Sequence, residues 1–382
     1  MIDGFLKGIL TFMNIQNLTT WLEVDLKRLK NNLSELQKMT GKPVMAVVKA
    51  NAYGHGLADI ALAAEAAGSP WCGVARLEEA LALRKAGVNA HILVLGYTPP
   101  GSAVLAVVEN ISLTVYDRAT AQAYAAAGEE SGKTLNVHLK IDSGMGRLGV
   151  FSEEVIELAK YLQSLPGINL QGMFTHFARA DEPELPATDQ QLAKFANLVK
   201  ELEKHNFRPE FVHASNSGGT LAFKDAWYDF VRPGIAMYGL SPSSKALVPK
   251  AIKPILSWKT RLISVKELPT GHGVGYGHRY VLTKPEKIGV LAIGYADGFR
   301  RVPGNEVLIA GKRVKVIGSV CMDQCMVQLH DVPEVKIGDE VVIIGQQGKE
   351  TITADDVAAR WGTINYEVVA GIAARVSRVY IR

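Results

Sequence analysis

A strand-and-helix rhythm that runs to about residue 240 and then stops constrains this chain most. Short apolar runs alternate with longer segments whose apolar residues recur at helical spacing. Strands are predicted at 21–26, 44–48, 71–75, 92–95, 113–115, 135–141, 170–174 and 211–214. Helices are predicted at 29–39, 58–67, 77–86, 155–165 and 191–205, with an alanine-rich one between 115 and 135. Repeated strand–helix units build a parallel sheet. The number of units favours a closed α/β barrel over an open nucleotide-binding sheet, as does the lack of a glycine fingerprint opening the first helix.

The prolines and serines of 241–254 read as a linker. Beyond them lie short strands at 257–265, 287–293, 307–309, 314–316, 326–329 and 340–344, cut by turns such as Gly338-Asp339 and by one helix at 354–361. That pattern is a small, mostly β domain. The expected division is a barrel over 14–250 and a β domain over 251–382. Residues 1–13 are expected to be a disordered extension ahead of a second possible start at Met13. Their apolar run is broken by Lys7, follows Asp3 and leads to no cleavage site, so a short extension is expected here more than a signal peptide.

A length of 382 residues suits two domains, and 48% hydrophobic content supports a large core. A formal net charge of +4, spread along the chain, argues against nucleic acid as a partner. No apolar run is long enough to span a bilayer, so no membrane partner is expected. Cys72, Cys321 and Cys325 fit neither a disulfide framework nor a four-ligand zinc site, so no metal is expected and a reducing cytoplasm is.

The chemistry-bearing residues sit where predicted strands end, the place where barrels carry their active sites. The run VVKANAYGHG delivers Lys49 to the end of the strand 44–48. Partial desolvation there favours the neutral amine, which can form a Schiff base with an aldehyde cofactor. A lone lysine after a strand is more often a surface residue, so the other strand ends matter. The strand 135–141 leads into Asp142-Ser143-Gly144-Met145-Gly146-Arg147, whose glycines allow close backbone approach and whose arginine can meet an anionic oxygen. Met173-Phe174-Thr175-His176 ends a strand on a histidine, a residue more often packed than catalytic when it stands alone. The turn around Asn216 and Ser217, within His213-Ala214-Ser215-Asn216-Ser217-Gly218-Gly219, suits a phosphate or serves as a plain helix cap. Phe230-Val231-Arg232-Pro233-Gly234-Ile235 puts an arginine before another anion-binding turn.

Together these residues resemble the alanine racemase family of pyridoxal-phosphate enzymes, from about Thr20 to Arg382. The family pairs an eight-stranded α/β (TIM-type) barrel with a C-terminal β domain. The resemblance implies that Lys49 holds pyridoxal 5'-phosphate, with Tyr53, Ser217, Gly234, Ile235 and Tyr366 at its phosphate. It implies Arg147 at the phenolic oxygen, Arg232 at the pyridine nitrogen, and His176 linking that arginine to a second base. Lys140 matches a lysine often carbamylated in relatives. In the β domain, Gly275-Tyr276-Gly277 matches the catalytic tyrosine motif; Tyr295 lies in IGYADGFRR and Met322 in CMDQ. By the same resemblance, Arg147, Tyr295 and Met322 bind substrate. Tyr276 and Met322 would reach the partner's active site in a homodimer. One departure is Ser319, where the family carries a corridor arginine; Arg179 is expected to supply the missing charge.

The implied reaction explains the residue types. Racemisation removes the Cα proton from one face and returns it on the other, which asks for two bases. Lys49 would serve the D-enantiomer and Tyr276 the L-enantiomer. An arginine does not protonate the pyridine nitrogen as a carboxylic acid does, so the cofactor stays a weaker electron sink and transamination is suppressed. A barrel-type basic amino-acid decarboxylase should carry an acid at the Arg232 position. A non-catalytic pyridoxal-phosphate carrier should lack the β domain and Tyr276. A racemase of serine, or of a broader amino-acid range, stays open beside alanine.

Overall fold

The structure, a computed structural model, describes residues 15–382. The expectation of a disordered extension over 1–13 lies outside the described residues. The chain divides into two compact units: Lys27–Pro254, and Ile255–Arg382 together with the residues up to Leu26.

The first strand, β1 (Thr20–Asp25), does not open the barrel. It lies antiparallel to β9 (Leu256–Leu268) and parallel to β18 (Ser377–Ile381). This corrects the barrel boundary of 14–250, because β1 belongs to the β unit. Its residues Trp21, Leu22 and Val24 are fully buried, so both faces of the strand are covered. Periodicity alone gives no sign of which sheet a strand joins.

The barrel unit carries seven parallel strands in sequence order: β2 (Met45–Val47), β3 (Trp71–Val74), β4 (His91–Val94), β5 (Ile111–Val115), β6 (Leu135–Lys140), β7 (Ile168–Phe174) and β8 (Phe211–His213). The eighth stave is the segment around Val231, which closes the ring. The Met45 N–H donates to the Val231 carbonyl at 2.8 Å, and the Arg232 N–H donates to the Ser215 carbonyl at 3.0 Å. Nearly every residue of β2, β3, β5 and β6 is buried, as strands covered on both faces must be. Inside, Trp71 packs with Met45, Leu93 and Phe230.

In the other unit β9 is the spine. It pairs with β1, with β12 (Glu286–Leu291) and with β16 (Glu340–Gln347). The hairpin of β10 (Gly273–Val274) and β11 (Tyr280–Val281) stands apart. β13 (Glu306–Ile309), β14 (Lys312–Ile317), β15 (Cys325–Gln328) and β17 (Glu350–Ile352) complete the main sheet with β18. The helix predicted at 354–361 is found at Ala354–Trp361, started by the Thr353 hydroxyl accepting from the Asp356 N–H at 3.0 Å.

Candidate active site

In a closed parallel barrel all strand ends of one kind share a face, so Lys49, Lys140, Arg147, His176, Asn216, Ser217, Arg232, Gly234 and Ile235 lie around one mouth. Register ties their elements together: Lys140 stands opposite Phe174, and Phe174 opposite His213. The Phe174 ring is shared by two cations, with the Lys140 ammonium 4.3 Å and the Arg232 guanidinium 5.4 Å from its centroid.

Lys49 follows β2 and enters an unusual turn. Ala50, Asn51, Ala52 and Tyr53 take φ of 53°, 54°, 52° and 53°. Four successive non-glycine residues therefore form a left-handed turn, a conformation that costs about 1–2 kcal/mol per residue. It swings the Tyr53 ring inward against Tyr238, whose hydroxyl donates to the Val47 carbonyl at 3.0 Å. Burial lowers the Lys49 pKa, Arg147 and Arg232 lower it further, and Glu79 opposes them. The amine is thus pushed toward its nucleophilic form.

Arg232 is buried and tightly held. Its Nη2 donates to the carbonyls of Thr175 at 2.8 Å and Ala214 at 3.0 Å, and its Nη1 to His213 Nδ1 at 2.9 Å. Arginine only donates, so His213 Nδ1 must accept and its Nε2 must carry the proton. That proton points at His138 Nδ1, 2.9 Å away, and His138 Nε2 faces the Gln171 carbonyl oxygen at 3.4 Å. Burial pushes the pKa of both histidines down, His138 to about 3. Burial also lowers Arg232 to about 9, which leaves it charged at neutral pH. Lys140 is drawn down to about 7 by burial and then by Arg232 and Arg147. His176, half-buried, is lowered by burial and by the same cations.

The loop bearing Arg147 is organised by Asp142, whose carboxylate accepts from the N–H groups of Gly144, Met145, Gly146 and Arg147 at 2.8–3.2 Å. Across the mouth, the Ser217 hydroxyl accepts from the Gly234 N–H at 2.9 Å and the Ala236 N–H at 3.3 Å. Its own proton remains to be donated. Asn216 is the helix cap, accepting from the Gly219 N–H at 3.0 Å and donating to the Phe177 carbonyl at 3.1 Å. A Cβ at Gly234 would stand 2.3 Å from the Tyr53 hydroxyl, so that position admits no side chain. Hydroxyls, backbone N–H groups and glycine in one small cradle fit a phosphate ester, and a desolvated lysine beside it fits an aldehyde.

The β unit gathers its own cluster. Tyr276, Met322 and Tyr295 are 68%, 53% and 43% exposed. Their loops are knitted together: the Ser319 hydroxyl donates to the Tyr276 carbonyl at 3.3 Å, and the N–H groups of Tyr295 and Ala296 donate to the carbonyls of Cys321 and Met322, each at 3.0 Å. Sequence reasoning missed Arg375, which bridges Asp297 at 2.8 Å and Asp323 at 2.6 Å, tying the Tyr295 loop to the Met322 loop. Each aspartate lies in a motif already singled out, yet nothing in the local sequence pairs them with an arginine so far along. Tyr366 lies on the helix Asn365–Ala370 of this unit. Ser319 lines a cleft of about 490 Å³ that also carries Arg279, Arg301 and Lys315. Arg179, by contrast, is an exposed barrel-unit residue paired with Glu182 at 2.7 Å.

Two family models match, that of the alanine racemase N-terminal domain over residues 24–242 and that of the C-terminal domain over 255–380. The chain belongs to the alanine racemase family. The alanine racemase of Symbiobacterium thermophilum is 45% identical over 364 residues, covering 94% of this chain and 97% of its own. That of Geobacillus kaustophilus is 44% identical over 369 residues, covering 95% and 94%. The alanine racemase of Bacillus anthracis, solved with bound L-Ala-P, superposes with a TM-score of 0.90 at 41% identity, covering 95% of each chain. That of E. faecalis does so with a TM-score of 0.90 at 39% identity, covering 95% of this chain and 98% of its own. The chain is therefore an enzyme, an isomerase of the amino-acid racemase class. No helix among the described residues is long and apolar enough to cross a membrane.

Proposed function

We propose that the enzyme interconverts L- and D-alanine with pyridoxal 5'-phosphate held at Lys49. The observation that carries this reading is the Lys49 amine, drawn toward neutrality by burial, Arg147 and Arg232, at the same barrel mouth as the Ser217–Gly234 cradle. Ser217, Gly234, Ile235 and Tyr53 would take the phosphate. Arg147 would meet the phenolic oxygen. When bound, the cofactor supplies electron withdrawal from the substrate Cα. Arg232 would set how much of it is used: a guanidinium at the ring nitrogen would donate a hydrogen bond without giving up its proton.

Lys49, which would hold the cofactor, would also serve as a base on one face of the substrate Cα. The partner subunit's Tyr276 stands on the other, so each enantiomer loses its proton to one residue and regains one from the opposite residue. His176, its pKa lowered by burial and then by Arg232 and the other cations, would link Arg232 to the phenol of the second base. The exposure of Tyr276, Met322 and Tyr295 supports a homodimer in which these side chains complete a neighbour's site. Lys140, near 7, has enough free amine at neutral pH to take up CO2. The resulting carbamate would steady Arg147. Three free thiols agree with a cytoplasmic home. Incubation with L-alanine, L-serine and L-lysine followed by chiral analysis tests the reading. D-Alanine as the main product supports it, and absence of D-alanine overturns it. Borohydride reduction and peptide mapping should place the cofactor on Lys49.

A further inference from the structure

The left-handed turn behind Lys49 needs something to hold it. Its first N–H groups have no acceptor inside the turn, since the first bond it closes runs from the Ala52 N–H to the Val48 carbonyl at 2.8 Å. The far end is fastened by Asn51, whose side-chain oxygen accepts from the Leu57 N–H at 2.9 Å. The near end is fastened by Glu79, a residue of the helix Leu77–Lys85 that follows β3. One Glu79 oxygen accepts from the Ala50 N–H at 2.6 Å, and the other accepts from Ala75 at 2.8 Å and Arg76 at 3.2 Å.

The Arg76 bond is ordinary helix capping. The Ala50 bond is not: it is the shortest of the three and reaches across to the residue directly after Lys49. One carboxylate thus ties together the ends of two neighbouring strands, β2 and β3, which pair in parallel with Val47 opposite Gly73.

We propose that Glu79 is a positioning residue for Lys49, pinning the strained turn that aims the amine and setting a fixed negative charge beside it. The proposal rests on the reading that Lys49 carries the cofactor. The charges acting around the lysine come from every side of the mouth: Arg147 and Lys140 from β6 and its loop, His176 from β7, Arg232 from the closing stave, and Glu79 from the helix after β3. Among those that act on Lys49, only Glu79 holds its proton on. Without it, burial and two arginines act unopposed, and the amine would also lose the backbone anchor that fixes its direction.

The test uses the full-length holoenzyme and Glu79→Gln, which keeps the side-chain length and one acceptor oxygen but removes the charge. The pH at which the lysine-bound chromophore titrates should fall by about half a unit or more, the effect of one charge at intermediate dielectric. Hydrogen exchange at the Ala50 amide should quicken about tenfold, since a bond to a charged acceptor is worth that much. Interior amides of Leu77–Lys85 should change far less. Should the Gln variant fail to fold, Glu79→Asp decides by the same exchange measurement, because its carboxylate is withdrawn from Ala50 by one methylene. An unchanged chromophore midpoint, or faster exchange confined to the helix, makes Glu79 a helix cap only and overturns the proposal. If the wild-type protein holds no lysine-bound cofactor, the functional reading fails, and exchange at Ala50 still decides what Glu79 does to the turn.

Discussion

The two units present their functional residues in opposite ways. At the barrel mouth Lys49, Lys140, His176 and Arg232 are buried or half-buried, Arg232 is fixed by three hydrogen bonds, and burial and neighbouring cations draw the pKa of Lys49, Lys140 and His176 down. In the β unit Tyr276, Met322 and Tyr295 stand out into solvent on short loops, their own side chains free of the packing that fixes Arg232. The barrel cluster is electrostatically pre-set, whereas the β-unit cluster is open to solvent.

The largest expected effect breaks the comparison at both ends. Lys49→Ala and Tyr276→Phe should each lower racemase activity by about a thousandfold or more, the scale of losing a general base. If the halves meet across a dimer, unfolding and reassembling equal amounts of the two variants should restore about a quarter of the wild-type sites. About half the dimers are then mixed, and each mixed dimer has one intact site. Recovery near that level supports a site completed in trans. No recovery, with mixed dimers shown to be present and loaded, rejects it.

Next is Arg232→Glu. A carboxylate there would face the carbonyls of Thr175 and Ala214, so some loss of Tm is expected along with lost rate. The decisive number is the ratio of products. A carboxylic acid at the ring nitrogen strengthens the electron sink, so the ratio of pyruvate to D-alanine should rise at least about tenfold. An unchanged ratio would remove Arg232 from the choice of reaction, whatever happens to stability.

The barrel's buried histidines give a stability test with a definite sign. His138, His176 and His213 are all held below the ordinary histidine pKa by burial and nearby cations. The unfolded chain therefore takes up protons from about pH 6.5 downward that the native state refuses, until about pH 3 for His138. Stability should rise with pH across that window, by up to about 1.4 kcal/mol per unit for each histidine. His138→Gln should flatten the slope seen in urea titrations. A slope unaffected by the substitution would mean that the chain from Arg232 to Gln171 does not hold its histidines neutral.

Much of this contrast was legible in the sequence, for a physical reason. Strand ends carrying lysine, arginine or histidine break the apolar pattern sharply, so Lys49, Arg147, His176 and Arg232 stand out. The motif at Tyr276 stands out through its glycines, with φ of 67° at Gly275 and 73° at Gly277. What the sequence hides is long-range pairing. The transfer of β1 to the other unit, the reach of Glu79 to Ala50, and the Arg375 bridge all depend on partners brought together by the fold. The closing stave at Val231 is legible as a strand end carrying Arg232, but its pairing with both neighbours shows only in the fold.

Arg375 sharpens the view of the β unit. Its two ion pairs hold the Tyr295 and Met322 loops in register, and Asp297 is almost fully buried. Arg375→Ala should raise KM for alanine about threefold to tenfold, leave kcat within about twofold, and leave the chromophore unchanged, since backbone bonds still hold each loop roughly in place. A fall in kcat with KM intact would move Arg375 from positioning the substrate pocket to supporting Tyr276.

The smallest effect belongs to Arg179, expected from the sequence to replace the arginine missing at Ser319. Two observations argue for little change. Its guanidinium is already paired with Glu182, and the cleft that Ser319 lines has Arg279, Arg301 and Lys315 of its own. Alanine also arrives as a zwitterion with no net charge, so long-range steering has little to act on. Arg179→Ala should therefore change kcat/KM by less than about twofold, with no added salt dependence. Ser319→Arg should matter more, because it adds volume and charge where the serine hydroxyl now supports the Tyr276 backbone. A large, salt-sensitive loss in Arg179→Ala, partly restored by Ser319→Arg, would reverse this ranking. It would show that the barrel unit, and not only the β unit, guards the way to the site.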